Sequence, residues 1–152
     1  METLVSLSIG LGLVVSLVFS EVLGLTAGGM VVPGYVALYL DRPLVIVITL
    51  FISYLTYFVV HSLSTVVIIY GRRRTVLMIL VGFALGALVR SFGTLELPIT
   101  TIDLTIIGYI IPGLIAIWID RQGLVESFSA LIVASVVVRI ALILITGGDI
   151  SV

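Results

Sequence analysis

Long apolar runs separated by short polar stretches make up most of this chain. Charged residues divide it into six segments, each near the roughly 20 apolar residues that a membrane-spanning helix requires. The segments run from about Leu4 to Ser20, Leu25 to Leu40, Leu44 to Tyr70, Val76 to Phe92, Leu104 to Ile119 and Ser127 to Ile145. The pattern predicts an all-α integral membrane protein with a single transmembrane domain over residues 1–152.

The second and fifth segments are short and resemble each other closely. A shift of 79 residues places Pro33-Gly34 on Pro112-Gly113 and Asp41-Arg42 on Asp120-Arg121, and 8 of the 18 columns from 25 to 42 are identical. Self-similarity at a fixed shift indicates an internal repeat. We therefore predict two three-segment halves, about 1–74 and 75–152, each with a short Pro-Gly-broken segment between two longer helices.

The arginines bear on whether the short segments cross the membrane or turn back within it. Crossing segments would give each half three spans and invert the halves, whereas re-entrant segments would leave the halves parallel. With Arg72–Arg74 in the cytoplasm, as the positive-inside rule favours, six crossings also place Arg121 inside and leave only Arg42 in an outer loop. Re-entrant segments would place Arg42, Arg90 and Arg121 all outside. The arginines favour the inverted arrangement with both termini outside, although short Pro-Gly segments are also typical of re-entrant loops.

Composition excludes several functional classes. Of 152 residues, 61% are hydrophobic and 10% are charged, where soluble domains carry about 25% charged residues. The mean hydropathy is +1.44, so the solvent for most of the chain is lipid. The net charge of −1 shows no polybasic field for nucleic acid.

Candidate chemistry is equally restricted. The chain has no Cys, and all seven basic residues are Arg, which excludes thiol catalysis, Cys-based zinc sites and a P-loop lysine. His61 is the one histidine and forms no multi-histidine metal cluster. The sequence therefore predicts no catalytic residues, no metal site and no cofactor. The acidic Met1-Glu2 start, without a clean cleavage site, indicates a retained first helix rather than a signal peptide.

The Pro-Gly pairs are the first candidate functional feature. Pro33 and Pro112 lack a backbone N–H, and Gly34 and Gly113 add backbone freedom. One interpretation is a helix break that supplies polar backbone at mid-membrane, as in transporters built from inverted repeats. The other is a kink that lets small residues pack closely.

Three polar residues inside apolar runs are candidates for a transport path. Arg90 and Arg139 each face protein, water or an interface, because a central charge costs about 2.5–3.5 kcal/mol on insertion scales. Snorkelling explains Arg90 simply, since polar residues follow it. For Arg139 a path-lining role and a structural ion pair, for instance with Glu21, stay open. His61 is either a proton relay or a hydrogen-bonded buried histidine.

The remaining charges have simpler interpretations. Glu21 either pairs with an arginine or ends the first helix. Asp41-Arg42 and Asp120-Arg121 are candidate interfacial ion pairs that end their helices. Arg72, Arg73 and Arg74 are a cytoplasmic anchor, or a docking site for a partner or for anionic lipid.

At these motifs the sequence resembles the PgsC/CapC family. The resemblance lies in Val31-Val32-Pro33-Gly34-Tyr35, in the turn Tyr70-Gly71-Arg72-Arg73-Arg74, and in the run Ile110-Ile111-Pro112-Gly113-Leu114-Ile115-Ala116. Glu21 before the first motif and Gln122-Gly123-Leu124 after the last also match, and the motifs stand in the family's order over essentially the whole chain. The Asp-Arg pairs are less clearly part of that pattern.

The resemblance implies the small integral membrane subunit of poly-γ-glutamate synthase, in the cell membrane. Its implied partners are an ATP-dependent PgsB/CapB-type ligase subunit, a membrane-anchored PgsA/CapA-type subunit, the lipid bilayer and the polymer itself. On this hypothesis the chain is not catalytic on its own; it anchors the ligase and helps the polyanion across the membrane, with Arg139, Arg90 and His61 as the candidate path. The alternative is a small-molecule or ion transporter with sites at the repeat interface. The sequence does not decide between one subunit and a homo-oligomer.

Overall fold

The computed structural model describes residues 2–93 and 110–148 and consists of α-helices joined by short connections. Within these ranges the helices are α1 (Glu2–Leu23), α2 (Val32–Leu38), α3 (Pro43–Val66), α4 (Arg72–Gly93), α5 (Ile111–Gln122) and α6 (Leu124–Thr146). The polar stretch with Glu96, Pro98 and Asp103, and the predicted start of the fifth segment at Leu104, lie outside the described residues. The all-α prediction is confirmed.

Four of these helices, α1, α3, α4 and α6, are long and apolar enough to cross a membrane. Their ends follow local chemistry. α3 begins at Pro43, where a missing N–H costs no helical hydrogen bond, and it ends at Val66, four residues before the predicted Tyr70. α6 ends at Thr146 because Gly147 adopts the left-handed conformation, with φ of 71°.

The second segment is helical only in its latter part. The chain leaves α1 through Gly24 and turns at Gly28 and Gly29, whose φ values of 72° and 120° are incompatible with a right-handed helix. α2 then begins at Val32, so Pro33 lies in its first turn and removes no hydrogen bond from the helix. The Pro-Gly pair therefore marks where a short helix starts, rather than a break within a longer one.

The fifth segment shows the same local arrangement where it is described. α5 begins at Ile111, with Pro112 again in the first turn and the Leu114 N–H donating to the Ile110 carbonyl at 3.0 Å. It continues to Gln122, five residues longer than α2, and Gly123 with φ of 101° separates it from α6.

The two short helices form the centre of the bundle. α2 packs against α1 and α6, α5 packs against α3 and α4, and α2 also touches α5. Pro33, Gly34, Pro112 and Gly113 are all buried. The main apolar cluster joins Val32 and Val36 of α2 to Ile115 and Ile119 of α5. Because other helices cover them on several sides, six of the seven residues of α2 and seven of the twelve residues of α5 are buried.

Hydrogen bonds and ion pairs define the relative directions of the helices. Ser8 donates to the Gly34 carbonyl at 2.6 Å and Ser16 to the Gly29 carbonyl at 3.4 Å, so the second segment runs antiparallel to α1. In the second half, Asp120 at the end of α5 pairs with Arg74 at the start of α4, so α5 runs antiparallel to α4.

Two longer-range contacts relate the halves to each other. Gln122 bonds to Thr26, beyond the C-terminal end of α1, and Arg139 of α6 pairs with Asp41, just after α2. We call the end that carries Arg72–Arg74 and Arg121 the arginine end, and the end that carries Asp41 and Arg139 the Asp41 end. These directions are those that an inverted repeat requires; the layout of the repeat across a membrane stays a prediction.

Candidate functional site

Backbone-to-backbone packing positions α2 against α1. A Cβ atom placed on Gly12 would lie 2.7 Å from the Gly34 Cα and N atoms, and one placed on Gly34 would lie 2.6 Å from the Ser8 carbonyl oxygen. Real Cβ atoms do not approach other atoms so closely, so glycine is required on both helices. The contact lets Ser8 reach the Gly34 carbonyl in a fully buried position.

The same contact recurs in the second half. A Cβ atom on Gly82 of α4 would lie 2.7 Å from the Gly113 N atom, and one on Gly113 would lie 2.8 Å from the Ile79 Cα atom. Each Pro-Gly pair thus places its glycine against a glycine of the preceding long helix. Of the two interpretations of these motifs, close packing of small residues is what this geometry displays.

Gly12 and Gly82 were not predicted as packing positions, although the sequence contains a signal for both. Ser8, Gly12 and Ser16 recur every four residues along α1 and form one face of small side chains. Gly82 and Gly86 have the same spacing in α4. This small-xxx-small pattern is typical of helices that approach closely in membranes.

Arg139 has a fixed acidic partner. Its Nη2 atom lies 2.5 Å from the Asp41 Oδ2 atom, and its Nη1 atom donates to the Ala37 carbonyl at 3.3 Å. The partner is Asp41 of the first half and not Glu21, which is exposed near the end of α1. Of the two roles left open for Arg139, the structure contains the ion pair, with Asp41 in place of Glu21. That Arg139 also lines a polymer path stays a prediction.

Exposure is unequal within the Asp41–Arg139 pair. The Arg139 side chain is 14% exposed and the Asp41 side chain is 60% exposed. The guanidinium is thus held within the bundle while the carboxylate is open to its surroundings.

A second ion pair lies at the arginine end, beside a cavity. Arg74 donates through Nη2 to the Asp120 carboxylate, and both side chains are mostly buried. The Arg74 Nε atom is buried and has no acceptor among the described residues. The adjacent cavity has a volume of about 180 Å³ and is lined by Gly71, Arg74, Thr75, Met78, Ile117, Asp120 and Arg121.

The ion pairs of Asp41 and Asp120 differ from the predicted pairs with the neighbouring residues Arg42 and Arg121. Both aspartates bond to arginines of other helices. Arg121 instead lies over the ring of Trp118, with its guanidinium carbon 5.3 Å from the ring centroid. Arg121 forms no ion pair within residues 2–93 and 110–148.

A three-bond clasp joins the halves at the arginine end. The Gln122 Oε1 atom accepts from both the backbone N–H and the hydroxyl of Thr26, each at 3.1 Å. The Gln122 amide donates to the Thr26 carbonyl at 2.5 Å. No pattern in a single sequence pairs residues 96 positions apart, so this contact was not predicted.

The other candidate residues occupy the surface or the helix ends. His61 is exposed and stacks on Tyr57, with ring centroids 5.5 Å apart, so it is not a buried histidine. Arg90 is half-buried in the last turn of α4, a position that suits snorkelling. Arg72 and Arg73 are exposed at the start of α4. Neither Arg90 nor His61 lines the cavity at the arginine end.

The centre of the bundle is tightly closed in the described part of the chain. The space between α2, α3 and α5 that Val36, Ile46, Thr49, Leu50 and Ile115 line measures about 10 Å³. A single water needs about 10–15 Å³ on that measure. The space that these described side chains line is therefore too small for a polyanionic chain.

Known proteins give the family of the chain. The family model described as capsule biosynthesis CapC matches residues 11–128. The "PGA biosynthesis protein CapC" of Bacillus subtilis (strain 168) is 38% identical over 126 residues, which cover 82% of this chain and 84% of that protein. The "Capsule biosynthesis protein CapC" of Bacillus anthracis is 41% identical over 115 residues, 75% of this chain and 76% of that protein. No solved structure matches the chain. By sequence this chain belongs to the CapC family of capsule biosynthesis proteins.

Proposed function

We propose that this chain is the integral membrane subunit of a poly-γ-glutamate synthase and export complex. In this role it anchors an ATP-dependent ligase of the PgsB/CapB type, works beside a PgsA/CapA-type subunit and helps the polymer cross the cell membrane. One observation carries the proposal: relatives at 38–41% identity over most of their length are named for PGA and capsule biosynthesis.

Geometry supports the anchoring part of this role. Four arginines, Arg72, Arg73, Arg74 and Arg121, collect at one end of the bundle, where the positive-inside rule favours the cytoplasm. A ligase that uses ATP must act on that side. The exposed Arg72 and Arg73 offer it a charged surface that does not belong to the bundle core.

A complementation experiment tests the proposal. The chain is expressed with an affinity tag in a host that lacks its own CapC protein but keeps the other subunits. We expect secreted poly-γ-glutamate to return, and the ligase subunit to co-purify from detergent-solubilised membranes. Normal polymer output without this chain, or a ligase that never co-purifies with it, would contradict the proposal.

Cysteine labelling tests the orientation, using the Cys-free background. Leu44→Cys at the Asp41 end and Val125→Cys at the arginine end are a matched pair, since the native residues are 70% and 71% exposed. A membrane-impermeant maleimide added to intact cells should label position 44 and spare position 125. Equal labelling of both positions would exclude the inverted arrangement.

The competing function is a small-molecule or ion transporter with sites at the repeat interface. The observation that favours it is the pair of short helices at the centre of the bundle, each starting with Pro-Gly. A transporter needs no ligase, so it would function in a host without ligase genes. Co-purification with the ligase separates the two functions.

A further inference from the structure

We propose that the cavity at the arginine end is a carboxylate-binding site that holds an α-carboxylate of a γ-linked glutamate chain. The inference rests on the proposed function and adds to it a site and a chemical group. In a γ-linked chain the side-chain carboxyl of each residue forms the amide, so each residue keeps its α-carboxylate free. The ligand is therefore a series of monoanions on a flexible backbone.

A buried donor of Arg74, one of the residues that line the cavity, has no acceptor among the described residues. Arg74 is held by Asp120 through Nη2, which leaves its buried Nε–H without an acceptor among the described residues. A donor on a charged group is costly to leave buried and unpaired, so an acceptor that enters this region is favoured. The cavity beside it, at about 180 Å³, is far larger than the space of one water.

Arg121 supplies a second cation that no carboxylate of the described residues neutralises. Its guanidinium lies over Trp118 and lines the same cavity as Arg74. An arginine fork binds a carboxylate through two parallel hydrogen bonds. Arg74 thus offers a donor held in place by Asp120. Arg121 offers a second one on an exposed side chain, whose recorded contact with the described residues is the stacking on Trp118.

The charge balance of the cavity suits a monoanion. Arg74 and Arg121 contribute two positive charges and Asp120 one negative charge, so the lining carries a net charge of +1. One carboxylate neutralises it, whereas a phosphate dianion would leave excess negative charge beside Asp120. Inorganic phosphate is accordingly the competing anion to exclude experimentally.

The corresponding position in the first half of the repeat has different contacts. Asp41-Arg42 corresponds to Asp120-Arg121, but there Asp41 pairs with Arg139, and Tyr39 stands in place of Trp118. The proposed site is therefore specific to the arginine end, and Arg42 provides a matched control for Arg121.

Trp118 is the chain's single tryptophan, so its fluorescence reports on this cavity. The purified full chain in nanodiscs of neutral lipid is titrated with a γ-linked glutamate hexamer. Parallel titrations use the hexamer with its carboxylates amidated, and inorganic phosphate. Since Arg121 touches the reporter, every affinity is also measured by calorimetry.

We expect saturable binding of the hexamer, and weak or no binding of the amidated hexamer and of phosphate. Arg121→Gln should weaken hexamer binding by at least about tenfold, the effect of losing one charge-assisted hydrogen bond. Arg121→Lys should recover part of the affinity, because it keeps the charge but not the fork. Arg42→Gln should stay within about twofold of wild type, as expected for a distant site.

Several outcomes would overturn the site. These are an Arg121→Gln variant that folds and binds as wild type does, phosphate that binds as tightly as the hexamer, or no binding of the hexamer at all. If Arg121→Gln does not fold, the affinity of Arg121→Lys for the hexamer is the test. A wild-type affinity of that variant would refute carboxylate binding by the two hydrogen bonds of the Arg121 guanidinium. If the hexamer does not bind as expected but the complementation host still requires the chain to make polymer, the carboxylate site is refuted and the proposed function is not. If the complementation host makes polymer without the chain, the proposed function itself is refuted.

Discussion

Gly12→Ala is the sharpest test of how the short helices pack. The new methyl group would lie 2.7 Å from the Gly34 Cα and N atoms, against ordinary contacts of 3.4–4 Å, so α1 and α2 must separate by roughly 0.7–1.3 Å. Overpacking of this kind costs about 1–3 kcal/mol. The same separation stretches the buried Ser8–Gly34 hydrogen bond, worth about 1 kcal/mol.

Helix propensity acts in the opposite direction. Alanine is more favourable than glycine by about 1 kcal/mol in a helix interior, so propensity alone predicts a more stable protein. The structure predicts that packing wins and that the free energy of unfolding falls by about 1–3 kcal/mol net.

Gly10→Ala provides the control within the same helix. A Cβ atom on Gly10 would meet nothing within 4 Å, so this variant should be neutral or more stable by up to about 1 kcal/mol. Unfolding of both variants in detergent micelles is followed through Trp118 fluorescence. Equal stability of the two variants would refute the close backbone contact between α1 and α2.

Three further predictions follow from the ion pair, the Pro-Gly motifs and the clasp. Asp41→Asn should reduce the yield of folded protein more than Arg139→Gln, because it strands the 14%-exposed arginine rather than the 60%-exposed carboxylate; equal yields would contradict the asymmetry. Each proline lies in a first turn and removes no hydrogen bond, so Pro33→Ala with Pro112→Ala should leave insertion, both short helices and polymer output intact, as measured by membrane fractionation and polymer assay; lost output with intact insertion would show a role for these prolines beyond packing. Gln122→Ala should lower the free energy of unfolding by about 1–3 kcal/mol through loss of the three Thr26 hydrogen bonds, and an unchanged unfolding curve would show that the clasp is dispensable.

The long helices were predictable from sequence because their cause is local. An uninterrupted run of about 20 apolar residues has few alternatives to a helix in lipid, since every backbone group must bond within the segment. Arg74 and Arg121 line one cavity, as the six-crossing arrangement requires, while Asp41, the residue before Arg42, pairs with Arg139. The placement of these residues relative to a membrane stays a prediction.

The short segments were predicted less well because their conformation depends on neighbouring helices. In the sequence, a Pro-Gly pair is equally consistent with a break inside a helix and with the start of a helix. The backbone angles of Gly28 and Gly29, which decide between these in the second segment, are not visible in the sequence. The partners of Arg139 and Gln122 are about a hundred residues away, beyond the reach of any local pattern.

The position of α2 between α1 and α6 has a consequence for synthesis of the protein. α6 begins at Leu124, so the ribosome makes it long after α2 has left the exit tunnel. Asp41 and its partner Arg139 are 98 residues apart, a delay of about 5–20 s at ordinary translation rates. During that interval the nascent first half holds a short helix with one side uncovered and a carboxylate without its partner. A chain truncated before α6 would keep that side of α2 uncovered, so the first half alone lacks part of its own packing.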